Sequence, residues 1–113
     1  MSRRDPMVRM QHMLDHAQEA VVLLGDMTEQ DLSRNRVIQL AVTRLVEIDG
    51  EAASRVPDEV CNRYTQIPWR QAVGMRHILA HGYDQLDYEI LHDTVRNSLP
   101  PLIDQLTVIL STD

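Results

Sequence analysis

Val37-Ile38-Gln39-Leu40-Ala41-Val42-Thr43-Arg44-Leu45-Val46-Glu47-Ile48-Asp49-Gly50-Glu51-Ala52-Ala53 is the stretch that decides the fold. Val37, Ile38, Ala41, Leu45, Ile48 and Ala52, continued by Val56, recur at spacings of three and four, which is one stripe of a helix. Three residues depart from that pattern. Leu40 projects to the opposite side, beside Arg44 and Glu51, and indicates a second apolar contact such as a subunit partner. Asp49 falls inside the stripe, where an unpaired carboxylate is costly, so it is expected to find a donor or lie near an edge. Gly50 costs about 1 kcal/mol relative to Ala in a helix interior. A close approach by another helix is the expected compensation.

Working outward, Thr28 to Asp31 offer an N-cap and acidic residues for the start of this helix, and Pro57 ends it. Upstream, Met10, Met13, Leu14, Ala17, Val21 and Leu24 predict a helix opened by Pro6 and closed by Gly25. Downstream, residues 57–66 read as a connection. Pro68 starts a third helix, with Trp69 as its aromatic anchor, Ala72, Met75 and Leu79 facing inward, and Gly82 as its stop. Asp87 is placed to cap a fourth helix bearing Ile90, Leu91 and Val95. Pro100-Pro101 must break or kink the chain there, because the residue before a proline is pushed out of the α region. A last segment carries Leu102, Ile103, Leu106 and Leu110. No segment alternates with the period of a strand. The expectation is a single domain over residues 1–113, an all-α antiparallel four-helix bundle with the last helix broken at Pro100-Pro101.

Composition narrows the function. The chain has 113 residues, 11 Lys plus Arg against 17 Asp plus Glu, and a net charge of −6. Every basic position is Arg. That balance argues against non-specific coating of nucleic acid, DNA included, which needs many cationic contacts. A local RNA site with a few contacts remains compatible. One cysteine, Cys61, excludes an intramolecular disulfide and a Cys-rich metal site. No apolar run of transmembrane length occurs, so no membrane association and a cytoplasmic location are expected.

The charge is unevenly spread. Val60 to Tyr83 contains no Asp or Glu but holds Arg63, Arg70 and Arg76 with His77 and His81. An acidic protein that clears one histidine-bearing segment of carboxylates is preparing a place for an anion, and phosphate is the leading candidate. At 100° per residue, Arg70, Gly74, His77 and His81 share a stripe, with a dent at Gly74 through which a backbone or ligand could approach. Arg76 lies about 140° from His81 on that wheel. Either the helix loosens near Gly82, or a site borrows residues across a two-fold axis in a homodimer.

The chemistry that fits this set is RNA cleavage without metal or other cofactor. A 2′-hydroxyl attacks the adjacent phosphate, His81 moves the proton, and Arg76 holds the phosphate oxygens, supported by His77 and Arg70. The helix dipole at His81 favours imidazolium while the nearby arginines oppose it. The plain alternative is an arginine snorkelling from the core edge beside two surface histidines. A metal bundle is a third possibility. His12 and His16 lie four apart, as do His77 and His81, and Glu89-x2-His92 is half of a di-iron carboxylate motif. A second such motif is absent, and the cationic window does not attract a metal ion.

Arg76-x4-His81-x-Tyr83 resembles the motif of the HEPN ribonuclease toxins of the HepT type. The flanks match too: Arg44-Leu45, Gly50-Glu51-Ala52-Ala53, Ile67-Pro68-Trp69-Arg70, Gly74-Met75-Arg76 and Leu99-Pro100. The likeness spans roughly residues 5 to 110. It implies a HEPN-like helical bundle that dimerises, so that two Arg/His sets meet in a cleft and cut RNA, tRNA or mRNA, without metal. Arg76 and His81 would be the catalytic pair, with His77 where the family usually carries a polar residue. It further implies the toxin of a type VII toxin–antitoxin pair. The partner would be an MntA-like nucleotidyltransferase antitoxin that transfers AMP to Tyr83 and so blocks the phosphate site. The competing reading, from a different class, is a non-catalytic helical scaffold that binds a nucleotidyltransferase or a nucleotide.

Overall fold

The computed structural model describes residues 5–77 and 87–112, and every described element is helical. Helix α1 runs Pro6–Leu24. The Asp5 carboxylate caps its start by accepting from the Met7 N–H at 2.8 Å, and Pro6 fills a first-turn position that needs no donor. Met10, Met13, Leu14, Ala17, Ala20 and Leu24 are buried. Gly25 ends the helix with φ 54°, a left-handed backbone that suits glycine, and its N–H bonds the Val21 carbonyl.

The Thr28 signal is real but caps a different helix from the one expected. Thr28 and Asp31 form a reciprocal capping box on a five-residue helix, α2 (Glu29–Ser33). Asn35 then caps α3 (Arg36–Ser54) through a bond from the Ile38 N–H to its side chain. Two caps seven residues apart split what the apolar spacing presents as one helix. The buried face of α3 is also rotated from the expected stripe. Val42, Leu45, Val46, Ala52 and Ala53 are buried, whereas Val37 is 73% exposed. Leu40, on the outer face as anticipated, is 52% exposed.

The connection after Pro57 contains a further short helix, α4 (Asp58–Arg63), with Pro57 at its N-cap. Helix α5 (Trp69–Gly74) comes next, tightening into a 3-10 turn over Met75–His77. Trp69 is half-buried, and its Nε1–H donates to the Tyr64 carbonyl at 3.0 Å. Asp87 caps α6 (Tyr88–Asp93) by accepting from the Ile90 N–H, as its position predicts; Ile90 itself faces outward.

The last helical run changes hydrogen-bond register just before the prolines. Thr94–Ser98 form a π turn, and α7 (Leu99–Thr112) begins immediately after it. The Leu99 N–H reaches the Thr94 carbonyl five residues back. Leu99 stays in the α region (φ −71°, ψ −40°) rather than being driven out of it. The wider turn makes room where Pro100 and Pro101, lacking N–H groups, could not have made ordinary α bonds.

Helix α3 lies against α1 on one flank and against α5 with its 3-10 turn on the other, while α7 packs on α1. The shared core holds the buried methionines of α1 together with Leu32, Val42, Val46, Leu91, Leu99, Leu102 and Leu106. Buried Gln39 is satisfied within it: its Nε2 donates to the Leu32 carbonyl, and its Oε1 accepts from the Tyr88 hydroxyl. The all-α bundle read from the sequence is the observed architecture.

Candidate functional site

Arg76 owes its place to Gly50. A Cβ built on Gly50 would collide with the Arg76 backbone nitrogen and come within 2.8 Å of its Cα. Only a residue without a side chain lets α3 and the 3-10 turn touch main chain to main chain. This is the close approach that a helical glycine at position 50 predicts. Met75 is buried and pins the turn, while Arg76 and His77 emerge on the surface. There the Arg76 Nε–H donates to His77 Nε2 at 3.1 Å. In that contact His77 Nε2 is the acceptor. The bond occupies Arg76 Nε, and neither terminal amino group of the guanidinium has a partner among the described residues.

The pair lines an open groove of about 370 Å³ whose other wall is α3, contributing Arg44, Glu47 and Glu51. Arg44 Nη1 stands 3.7 Å from Glu47 Oε1. The Glu51 carboxylate has no partner among the described residues. The segment around Arg76 is free of acid in sequence, but the groove is not. Two arginines face two glutamates, and the fixed charges cancel. Sequence reasoning misses these glutamates because they come from a helix some 25 residues upstream; the pointer to them is Gly50, whose neighbour is Glu51.

The other candidate residues divide. Arg70 is exposed on α5 but does not line the groove. The stripe that groups it with Gly74 and His77 assumes 100° per residue, and the turn tightens to 3-10 geometry at Met75. Gly74 does leave open space, since nothing among the described residues lies within 4 Å of a Cβ built there. His81, Tyr83, Leu79 and Gly82 lie outside the described residues. His12 and His16 meet edge to face with centroids 6.2 Å apart, and the His16 Nδ1–H donates to the His12 carbonyl. His92 is spent on the Met27 carbonyl at 2.8 Å. Among the described residues no three His, Cys, Asp or Glu side chains form a group suited to a metal ion. Burial, with help from the Asp58 carboxylate, raises the Cys61 thiol and keeps it from being a thiolate nucleophile.

Asp49, beside Gly50, departs from expectation. It neither finds a donor nor sits at an edge: it is 1% exposed, and both carboxylate oxygens lack hydrogen-bond partners among the described residues. Desolvation raises its pKa from 3.8 to about 8. At neutral pH the group is therefore mostly the uncharged acid, and this is how the fold tolerates it.

Relatives of the chain carry consistent names. "Putative RNase MJ0127" of Methanocaldococcus jannaschii is 30% identical over 110 residues, covering 97% of this chain and 91% of that one. "Putative RNase TTE0752" of Caldanaerobacter subterraneus is 27% identical, covering 97% of this chain and 98% of that one. "Probable ribonuclease HepT" of Thermococcus cleftensis is 33% identical over 93 residues, 79% of this chain and 84% of that one. No solved structure matches the chain. Residues 10–109 match the family described as Ribonuclease HepT-like, which spans every element of the bundle from α1 to α7. The chain belongs to the HepT-like ribonuclease family.

Proposed function

We propose that this chain is a metal-independent endoribonuclease, the toxin of a type VII toxin–antitoxin pair, acting as a homodimer whose two Arg76/His81 sets share one cleft. The observation that carries the reading is Arg76, tied to His77 at Nε and presenting its terminal amino groups at the mouth of a groove. A guanidinium held that way is suited to two non-bridging oxygens of one phosphate. In the proposed reaction the 2′-hydroxyl oxygen bonds to phosphorus as the 5′-oxygen bond breaks, leaving a 2′,3′-cyclic phosphate and a 5′-hydroxyl. His81 of one copy removes the hydroxyl proton, and the imidazolium of the other supplies the leaving oxygen's proton. Arg76 stabilises the charge that builds on the phosphorane oxygens.

Silencing is explained by Tyr83, two residues past His81. A nucleotidyltransferase antitoxin would join the Tyr83 oxygen to the α-phosphorus of ATP, releasing pyrophosphate and leaving AMP where substrate phosphate belongs. Purified chain without partner, incubated with tRNA and total RNA in EDTA, tests the nuclease. Cleavage that persists in chelator and falls at least about a thousandfold in both Arg76→Ala and His81→Ala supports the proposal; intact RNA rejects it. Mass spectrometry after co-expression with the antitoxin tests the silencing. An unmodified Tyr83 in a neutralised complex rejects that part.

A second reading is favoured by the outer face of α3. Exposed Val37 and Leu40 continue the line of the groove, as a surface that docks a protein would. In that reading the chain is a non-catalytic scaffold for a nucleotidyltransferase, and tight partner binding would accompany intact RNA.

A further inference from the structure

We infer that the α3 wall of the groove reads a nucleobase, with Glu51 as the residue that selects guanine. This deepens the nuclease reading above and rests on it for the identity of the substrate. A site built for phosphate alone has no use for two carboxylates beside its arginine, because they cancel the attraction. A nucleotide makes sense of both walls, since it is an anion at one end and a set of hydrogen-bond donors at the other.

The two glutamates are not equivalent. Glu47 is engaged by Arg44 at 3.7 Å, whereas the Glu51 carboxylate is exposed and unpartnered among the described residues. Glu51 is also the residue next to Gly50, whose main chain touches the backbone of Arg76. The backbones that carry the phosphate grip and the free carboxylate are therefore held together by main-chain contact, and both side chains open onto the same groove. The groove of about 370 Å³ has room for a base and its ribose.

An ionised carboxylate only accepts hydrogen bonds, so the base it prefers must offer donors side by side. Guanine presents N1–H and the 2-amino group together on its Watson–Crick edge, matching the two oxygens of Glu51. Adenine and cytosine each offer one amino group beside an acceptor nitrogen. Uracil offers one N–H flanked by two carbonyl oxygens, which repel a carboxylate. Single-stranded RNA exposes these edges, so a paired strand would not be read. The order expected is guanine first, adenine and cytosine next, uracil last.

Binding of guanosine 3′-monophosphate and uridine 3′-monophosphate to the whole chain, measured by calorimetry, tests this without requiring cleavage. Wild type should bind the guanosine nucleotide about tenfold more tightly. In Glu51→Gln, checked for native helicity, that ratio should collapse to about one. The inference is overturned by equal binding in wild type, by no binding of either nucleotide, or by a preference that survives the substitution. It is equally overturned if Glu51→Gln tightens both nucleotides by the same factor, because the carboxylate then acts only as a charge. Sequencing the ends produced from an unstructured random RNA supplies the second arm. A guanine bias at one position flanking the cut, erased in Glu51→Gln, supports the inference. Cleavage with no bias sinks it and spares the nuclease. A guanosine preference in a chain that cuts nothing sinks the nuclease and spares the base pocket.

Discussion

Asp49 stores a dependence on pH. Its pKa is 3.8 ordinarily and about 8 in the folded chain, so between those values the folded state binds a proton that the unfolded state has lost. Stability from this group is complete below about pH 4 and drains away as pH rises toward 8, by on the order of 5 kcal/mol in total. The sign is opposite to that of an ion-paired aspartate. Asp49→Leu should raise the melting temperature at pH 8 and flatten its fall between pH 5 and 8, as thermal unfolding by circular dichroism would reveal. A wild-type melting temperature that does not fall across that range would contradict the burial argument. The two helical glycines give a second contrast at this scale. Gly74→Ala meets open space and should gain up to about 1 kcal/mol from helix propensity. Gly50→Ala adds the same propensity but drives a methyl into the Arg76 backbone, so it should lose about 2 kcal/mol or more. RNA cleavage should fall with it, since the displaced residue is Arg76. Chemical denaturation of both variants decides the comparison.

At the level of elements, the caps that could be read were Thr28 and Asp87, although Thr28 serves the short α2 and not the long helix expected to follow it. Asp5 and Asn35 also cap through their side chains, and neither stood out in the sequence. The division between α2 and α3, and the π turn ahead of Pro100, were not legible. Both depend on which hydrogen bonds survive once the pieces pack. The turn between α1 and α2 is held by a further device of this kind. Arg96 donates to the Gly25 and Met27 carbonyls at 2.8 Å each, and His92 shares the Met27 oxygen. Arg96→Ala removes two charge-assisted bonds across some 70 residues of chain and should cost about 1–3 kcal/mol. Hydrogen exchange should rise most around residues 25–28, with α3 little changed. Uniform loss of protection would mean that the clamp is not local.

For the whole molecule, the fold class was legible because nearly all the apolar spacing has a helical period. The rotated face of α3 was less so, since Val37 and Ile38 extend the expected stripe while burial is set by where α1 and α5 happen to lie. Of the candidate groove, the half bearing Arg76 and His77 could be read from those two residues together. Its acidic half could not, because spacing within one segment says nothing about which residues a second helix brings alongside. That acidic half changes the expected behaviour toward RNA. Two arginines per groove in a chain of net charge −6 release few counterions, so the slope of log affinity against log salt should be no steeper than about −3 even for a dimer engaging both copies. A slope near −6 would require a cationic surface elsewhere.

The main-chain contact at Gly50 between α3 and the turn bearing Arg76 has a practical corollary for redesign. Positions 44, 47, 51 and 77 can be varied to give the crevice a new taste in ligands, because none of them determines how far apart its two banks stand. Breadth belongs to the peptide backbone and preference to the decoration, so a library built on those four sites would alter what is gripped while leaving the jaws at their present gauge.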